Sequence, residues 1–152
     1  MNENIATDLP CPKIEKTVPL FLTVREYNLI LHYCSKNAGT FIGLRNLIII
    51  MMLGLLGLRT NSIISMNVQD VDVAAGLAWI KEKGNIKRNI VLPKVLCTVL
   101  KPYLEKIGQQ RGPLFLSKHG KRISPRTLQD IFRNAADSIG IDKHLHAHLF
   151  RH

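Results

Sequence analysis

From Thr23 onward, apolar residues fall at i, i+3, i+4 spacing along most of the chain, and one central stretch breaks into short β-branched runs instead. Thr23 is a plausible N-cap, Glu26 stands three residues on as in a capping box, and Leu29, Ile30 and Tyr33 keep helical spacing, which predicts a first helix to about Ser35. Gly39 and Gly43 bracket the next start. Beyond them Leu44, Leu47, Ile48, Met51, Leu55 and Leu58 hold one helical face while Ile49, Ile50, Met52 and Leu53 fill the others. A helix apolar on all sides belongs at the centre of a domain. Gly54 and Gly57 weaken its end, and Thr60, Asn61 and Ser62 offer caps for a short helix through Met66, so Arg59 is expected in a turn between two helices.

The period then changes. Val68 to Val73, Leu77 to Lys81 and Ile86 to Leu92 are short segments rich in β-branched residues, separated by Ala-Gly and Gly-Asn, and they predict a three-stranded antiparallel meander with Lys83 at its second hairpin. Pro93 ends the sheet. Val95, Leu96, Val99, Leu100, Tyr103 and Leu104 mark another amphipathic helix up to Gly108, and Ser124-Pro125 opens a last long one through Leu128, Ile131, Phe132 and Ala135 to Gly140. His144 to His152 reads as a turn into a further helix. Residues 1–20, with Pro10, Pro12 and Pro19 and little periodicity, read as a linker or tail, leaving 21–152 as one domain. The fold class is α+β, mainly α.

Charge narrows the partners. Lysine and arginine number 21 against 11 acidic residues, a formal net charge of +10, which suits a polyanion. Double-stranded DNA is the expected partner. An anionic membrane surface would want the basic residues gathered on one amphipathic helix, whereas here they are spread along the chain. The apolar run Leu47–Leu58 is also short of the ~20 residues a membrane helix needs. Cys11, Cys34 and Cys97 are far apart and lack any C-x-x-C spacing, so neither a disulfide framework nor a thiolate zinc site is expected, and a reducing cytoplasm fits. His144, His146, His148 and His152 could be read as metal ligands, but the segment reads better as a turn into a helix than as a strand with its histidines on one face, and no metal or other cofactor is expected.

Gly57-Leu58-Arg59 after a buried helix, Lys83-Gly84-Asn85 at a hairpin and His148-Leu149-Phe150-Arg151-His152 after a glycine-ended helix form an ordered series. In that order and spacing the chain resembles the catalytic domain of the tyrosine recombinases, the phage integrase family. The resemblance implies site-specific DNA cleavage and rejoining, with Arg59, Lys83, His148 and Arg151 as the catalytic set. Cleaving a phosphodiester gathers charge on the non-bridging oxygens, and two guanidiniums can hold it through bidentate hydrogen bonds, the role implied for Arg59 and Arg151. Lys83 matches the acid that protonates the leaving 5′-oxygen, with Lys81 and Lys87 on the same hairpin as the alternatives. His148 matches the histidine that positions the phosphate or exchanges protons. The family's nucleophile, a tyrosine that keeps the bond energy as a 3′-phosphotyrosine, stands beyond the H-x-x-R motif, and the sequence ends at His152. Tyr27, Tyr33 and Tyr103 keep helical core spacing and are poor substitutes, so a fragment inactive on its own is expected.

Two positions depart from the family's pattern. Ser62 stands where a carboxylate usually follows the first arginine, and Phe150 stands where leucine usually precedes the second. Further phosphate contacts are expected from Lys81, Lys87, Arg88, Lys118, Lys121, Arg122 and Arg126, each of which could equally be solvated surface charge. A homo-oligomer on DNA is implied for the complete protein. The alternatives are a DNA-binding module that keeps the fold without cutting, and a type IB topoisomerase, which uses similar chemistry without choosing a sequence.

Overall fold

The computed structural model describes residues 20–151. The tail expected over 1–20 lies outside the described residues apart from Leu20, as does His152. Among the described residues there are five α-helices: α1 (Val24–Lys36), α2 (Phe41–Leu56), α3 (Thr60–Ser65), α4 (Lys94–Ile107) and α5 (Pro125–Ile139). Between α3 and α4 run three strands, β1 (Val71–Asp72), β2 (Leu77–Glu82) and β3 (Ile86–Val91), in the antiparallel order β1-β2-β3. The α+β, mainly α architecture is the expected one.

The capping box at α1 is present. Thr23 Oγ1 accepts from Glu26 N–H at 3.1 Å, and Glu26 returns a carboxylate to Thr23 N–H at 2.9 Å. Two of the four orphan donors of the helix start are thereby satisfied. Thr40 caps α2 by accepting from Gly43 N–H at 3.0 Å. This helix is the centre of the molecule, with Ile48, Ile49, Ile50, Met52 and Leu53 wholly buried, and it packs against α1, α4 and the C-terminal turn. One buried residue there is charged. Arg45 donates to Leu116 O at 2.7 Å and to Asn46 Oδ1, tying the loop after α4 to α2, and burial lowers its pKa. Gly57 ends α2 in the left-handed region at φ 61°, a conformation that a side chain would strain.

Two expectations are corrected. The first strand does not span Val68 to Val73: Val68–Asp70 is a 3₁₀ turn, closed by Asn67 and Asp70 in a reciprocal cap, and only Val71 and Asp72 pair with β2. Local side-chain-to-backbone bonding wins there over β propensity. Nor do Thr60, Asn61 or Ser62 cap α3. Arg59 itself takes the N-cap position, with no side-chain hydrogen bond, and α3 starts at Thr60.

α5 follows its predicted signals: Ser124 Oγ accepts from Thr127 N–H, Pro125 opens the first turn, and Gly140 closes the helix at φ 71°. After it, a short 3₁₀ helix, Ala147–Arg151, returns the chain to α2. Lys143 holds the approach to that turn by donating to Glu26 at 2.8 Å and to Phe21 O at 3.3 Å. Among the described residues no helix is long and apolar enough to cross a membrane.

Candidate active site

Three elements meet at the start of α3. The residue after the α2 stop, Leu58, is buried and fixes the chain, so that Arg59, next along, projects into solvent. In the C-terminal 3₁₀ turn the same alternation recurs. Leu149 and Phe150 are buried, while His148 and Arg151 on either side of them are exposed. Phe150 is the anchor: its ring stacks on Phe132 of α5 at 5.5 Å and meets Tyr27 of α1 edge-on at 6.2 Å. Burying such a ring contributes roughly 2–3 kcal/mol, ample to hold one turn of helix in register. The departure from leucine at this position thus serves packing against two helices.

The outcome is a cleft of about 200 Å³ lined by Arg59, Thr60, Asn61, Ala147, His148 and Arg151, with no carboxylate among them. Arg59 and Arg151 also line an adjoining cavity of about 150 Å³, whose far wall is the inner face of the sheet: Ile80, Glu82 and Arg88. Arg88 reaches this wall because it pairs across the ladder with Ile80, and its Nε meets Glu82 Oε1 at 3.1 Å. Ser62, in the same cavity, is buried and donates its hydroxyl to Lys81 O at 3.2 Å. It braces α3 on β2.

Lys83 is not brought into either lining. It occupies the first position of the three-residue loop Lys83-Gly84-Asn85, with Gly84 at φ 85° and Asn85 at φ 60°, and it is exposed at the tip of the hairpin. Lys81 and Lys87 face each other directly across the ladder on the opposite side of the sheet from Ile80, together with the half-exposed Trp79. Of the candidates on this hairpin, Arg88 alone shares a cavity with the arginine pair.

The remaining basic candidates divide by what they touch. Arg122 donates to Ile64 O at 2.8 Å, Met66 O at 3.1 Å and Asn67 Oδ1 at 2.5 Å, so it satisfies carbonyls at the end of α3. Lys118 and Lys121 are exposed on a tight turn organised by the Ser117 hydroxyl, and Arg126 is exposed in the first turn of α5. A third cavity, of about 370 Å³, lies between α5 and the histidine run, lined by His144, His146 and His148. His146 sits at the centre of that run, its pKa lowered by burial and by the neighbouring His148 and His144. Among the described residues no group of three His, Cys, Asp or Glu is arranged to hold a metal ion. Sequence reasoning missed Glu82. Its signal was alternation, since Glu82 stands two residues after Ile80 on the same strand and so shares its face.

The sequence matches the phage integrase family over residues 20–152. Among curated proteins it is 31% identical to the tyrosine recombinase XerC of Alcanivorax borkumensis, over 99% of this chain and 50% of that protein. It is 30% identical to XerC of Yersinia pestis, over 98% and 49% respectively. The chain therefore spans about half the length of the curated relatives it matches. The fold is shared with a crystal structure of XerA recombinase (TM-score 0.76, 20% identity, 88% of this chain and 48% of that one). It is shared too with XerH site-specific recombinase bound to its palindromic difH substrate (TM-score 0.73, 22% identity, 88% and 40%). A match covering every described residue, with the expected fold beneath it, places this chain in the phage integrase family.

Proposed function

We propose that this chain supplies the phosphate-binding part of a site for cleaving and rejoining duplex DNA, in a site-specific recombinase. The observation that carries this reading is the meeting of Arg59, His148 and Arg151 on one cleft without an acid among its lining. Two guanidiniums from separate elements suit two non-bridging oxygens of one phosphodiester, and their strength grows as the phosphorane gathers charge. His148, beside them, can hold an oxygen or pass a proton. Lys83 acts from the hairpin tip, where a three-residue loop leaves it free to meet the leaving 5′-oxygen once DNA lies against the cleft. The XerH relative is bound to its difH substrate, and a lambda integrase of the same fold is a dimer bound to a core site. A homo-oligomer on DNA is the assembly proposed for the whole protein.

No tyrosine within the described residues serves as nucleophile in this reading. Tyr103 is wholly buried and donates to Leu114 O at 2.8 Å, while the Tyr27 hydroxyl is buried against α2. These residues alone accordingly favour binding over cutting. The test is duplex binding measured across a salt series. Arg59→Ala and Arg151→Ala should each weaken binding and flatten the log–log salt dependence by about 0.9, the signature of one lost phosphate contact. Unchanged slopes in both variants would remove the phosphate-site reading.

A further inference from the structure

One carboxylate stands among three guanidiniums. The cavity of about 150 Å³ behind the cleft is lined by Arg59, Arg88 and Arg151, and the acidic side chain on its wall is Glu82. Glu82 ends β2 on the same face as the buried Ile80, and Arg88, paired with Ile80 on β3, reaches diagonally to it at 3.1 Å. Ser62, the other polar residue in that lining, is committed to Lys81 O. Among the described residues, the guanidiniums of Arg59 and Arg151 have neither a hydrogen bond nor an ion pair.

We propose that Glu82 is the positioning residue of this arginine cluster, held by Arg88 on the sheet wall so that the guanidiniums of Arg59 and Arg151 are drawn into a common plane facing the phosphate. The inference rests on the reading of the cleft as a phosphodiester site. Guanidiniums confined together repel one another and would otherwise splay into solvent, each losing the alignment that bidentate binding needs. A carboxylate fixed behind them places negative charge on the side away from the mouth. It attracts both guanidiniums across the cavity without taking up their forks, which stay open to the ligand. Glu82 suits this because its side chain is 37% exposed, which keeps it hydrated, while its place is set by a strand and a cross-strand partner. Glu82 is thus a group that acts through the arginines and does not itself touch the phosphate.

The sign of the effect separates this role from a simpler one. If Glu82 were only a competing counter-ion, Glu82→Gln would tighten anion binding by removing a negative charge from a positive site. As a positioning residue it does the reverse. The full 152-residue chain, labelled with ¹⁵N, is titrated with inorganic phosphate while the arginine Nε–Hε resonances are followed. The expected result for Glu82→Gln is phosphate binding weakened about fivefold or more, with Arg59 and Arg151 resonances shifted before any ligand is added. Glu82→Asp keeps the charge and withdraws it by one methylene, so it should weaken binding as well, and this variant carries the test if the amide variant does not fold. Equal or tighter binding by the folded variants would overturn the proposal. The double variant Arg59→Ala with Arg151→Ala distinguishes the underlying reading: if it binds phosphate as the unaltered chain does, the cleft is no phosphate site and the role of Glu82 falls with it.

Discussion

Basic residues that look alike in sequence have separate employments, and Arg122 shows how a residue's contacts decide between them. Its guanidinium is engaged by two carbonyls and an amide oxygen at the end of α3, the helix that carries Arg59 at its cap. Arg122→Ala should therefore destabilise the fold by about 1–3 kcal/mol, the range for hydrogen bonds from a charged group, with the loss moderated by exposure. Denaturant unfolding checks this. The salt slope of DNA binding should stay within a few tenths of the unaltered chain's, because no phosphate contact is removed. A full drop of about 0.9 with unchanged stability would reverse the assignment. Arg88 presents the opposite case. Its sequence neighbour Lys87 points to the other face of the same strand, and the alternation of the pleat separates a residue of the site wall from one beside Trp79.

Elements are held in place by a few specific contacts, and these are where stability should respond. Glu26 closes the α1 cap and also takes the Lys143 ammonium at 2.8 Å, so one carboxylate joins the first helix to the segment that precedes His148. Lys143, foremost, and the Thr23 backbone lower its pKa below the ordinary 4.5. An acid whose folded pKa is depressed contributes stability that is fully present above the unfolded value and lost as pH falls through the folded one. Thermal unfolding followed downward from pH 5 should therefore show a loss of melting temperature that is shallower in Glu26→Gln; parallel profiles for the two proteins would refute the coupling. Gly54, in the last turns of α2, makes room for Tyr27: a Cβ there would lie 2.3 Å from the ring. Gly54→Ala should cost about 1–3 kcal/mol by overpacking in spite of its better helix propensity, and a neutral or stabilising result in denaturant unfolding would show that α1 can shift. The helices were legible in sequence because caps and 3.6-residue periodicity are local. The first strand was not, since Asn67 and Asp70 satisfy the backbone before pairing begins. The partnership of Glu82 with Arg88 was not either, because it depends on register across a hairpin and on which face meets α3.

For the whole molecule the question is how far the positive charge extends from the cleft as a working surface. A net charge of +10 raises non-specific attraction for any polyanion, so affinity alone cannot say which residues touch DNA. The slope with salt can, because it counts phosphates neutralised. Lys118 and Lys121 on one exposed turn and Arg126 at the start of α5 have no hydrogen bond or ion pair from their side chains among the described residues. They belong to the connection between α4 and α5 and to α5 itself, the helix on whose Phe132 the His148–Arg151 turn is stacked. A duplex seated on the cleft and running along this side would meet all three. Replacing them together by alanine should then flatten the slope by about 2–3, against about 0.9 for either cleft arginine alone. The same replacement leaves the buried core untouched, so melting temperature should hold. A slope unchanged by the triple variant would confine the footprint to the arginine cleft and the hairpin, and the rest of the charge would then serve long-range attraction without contact.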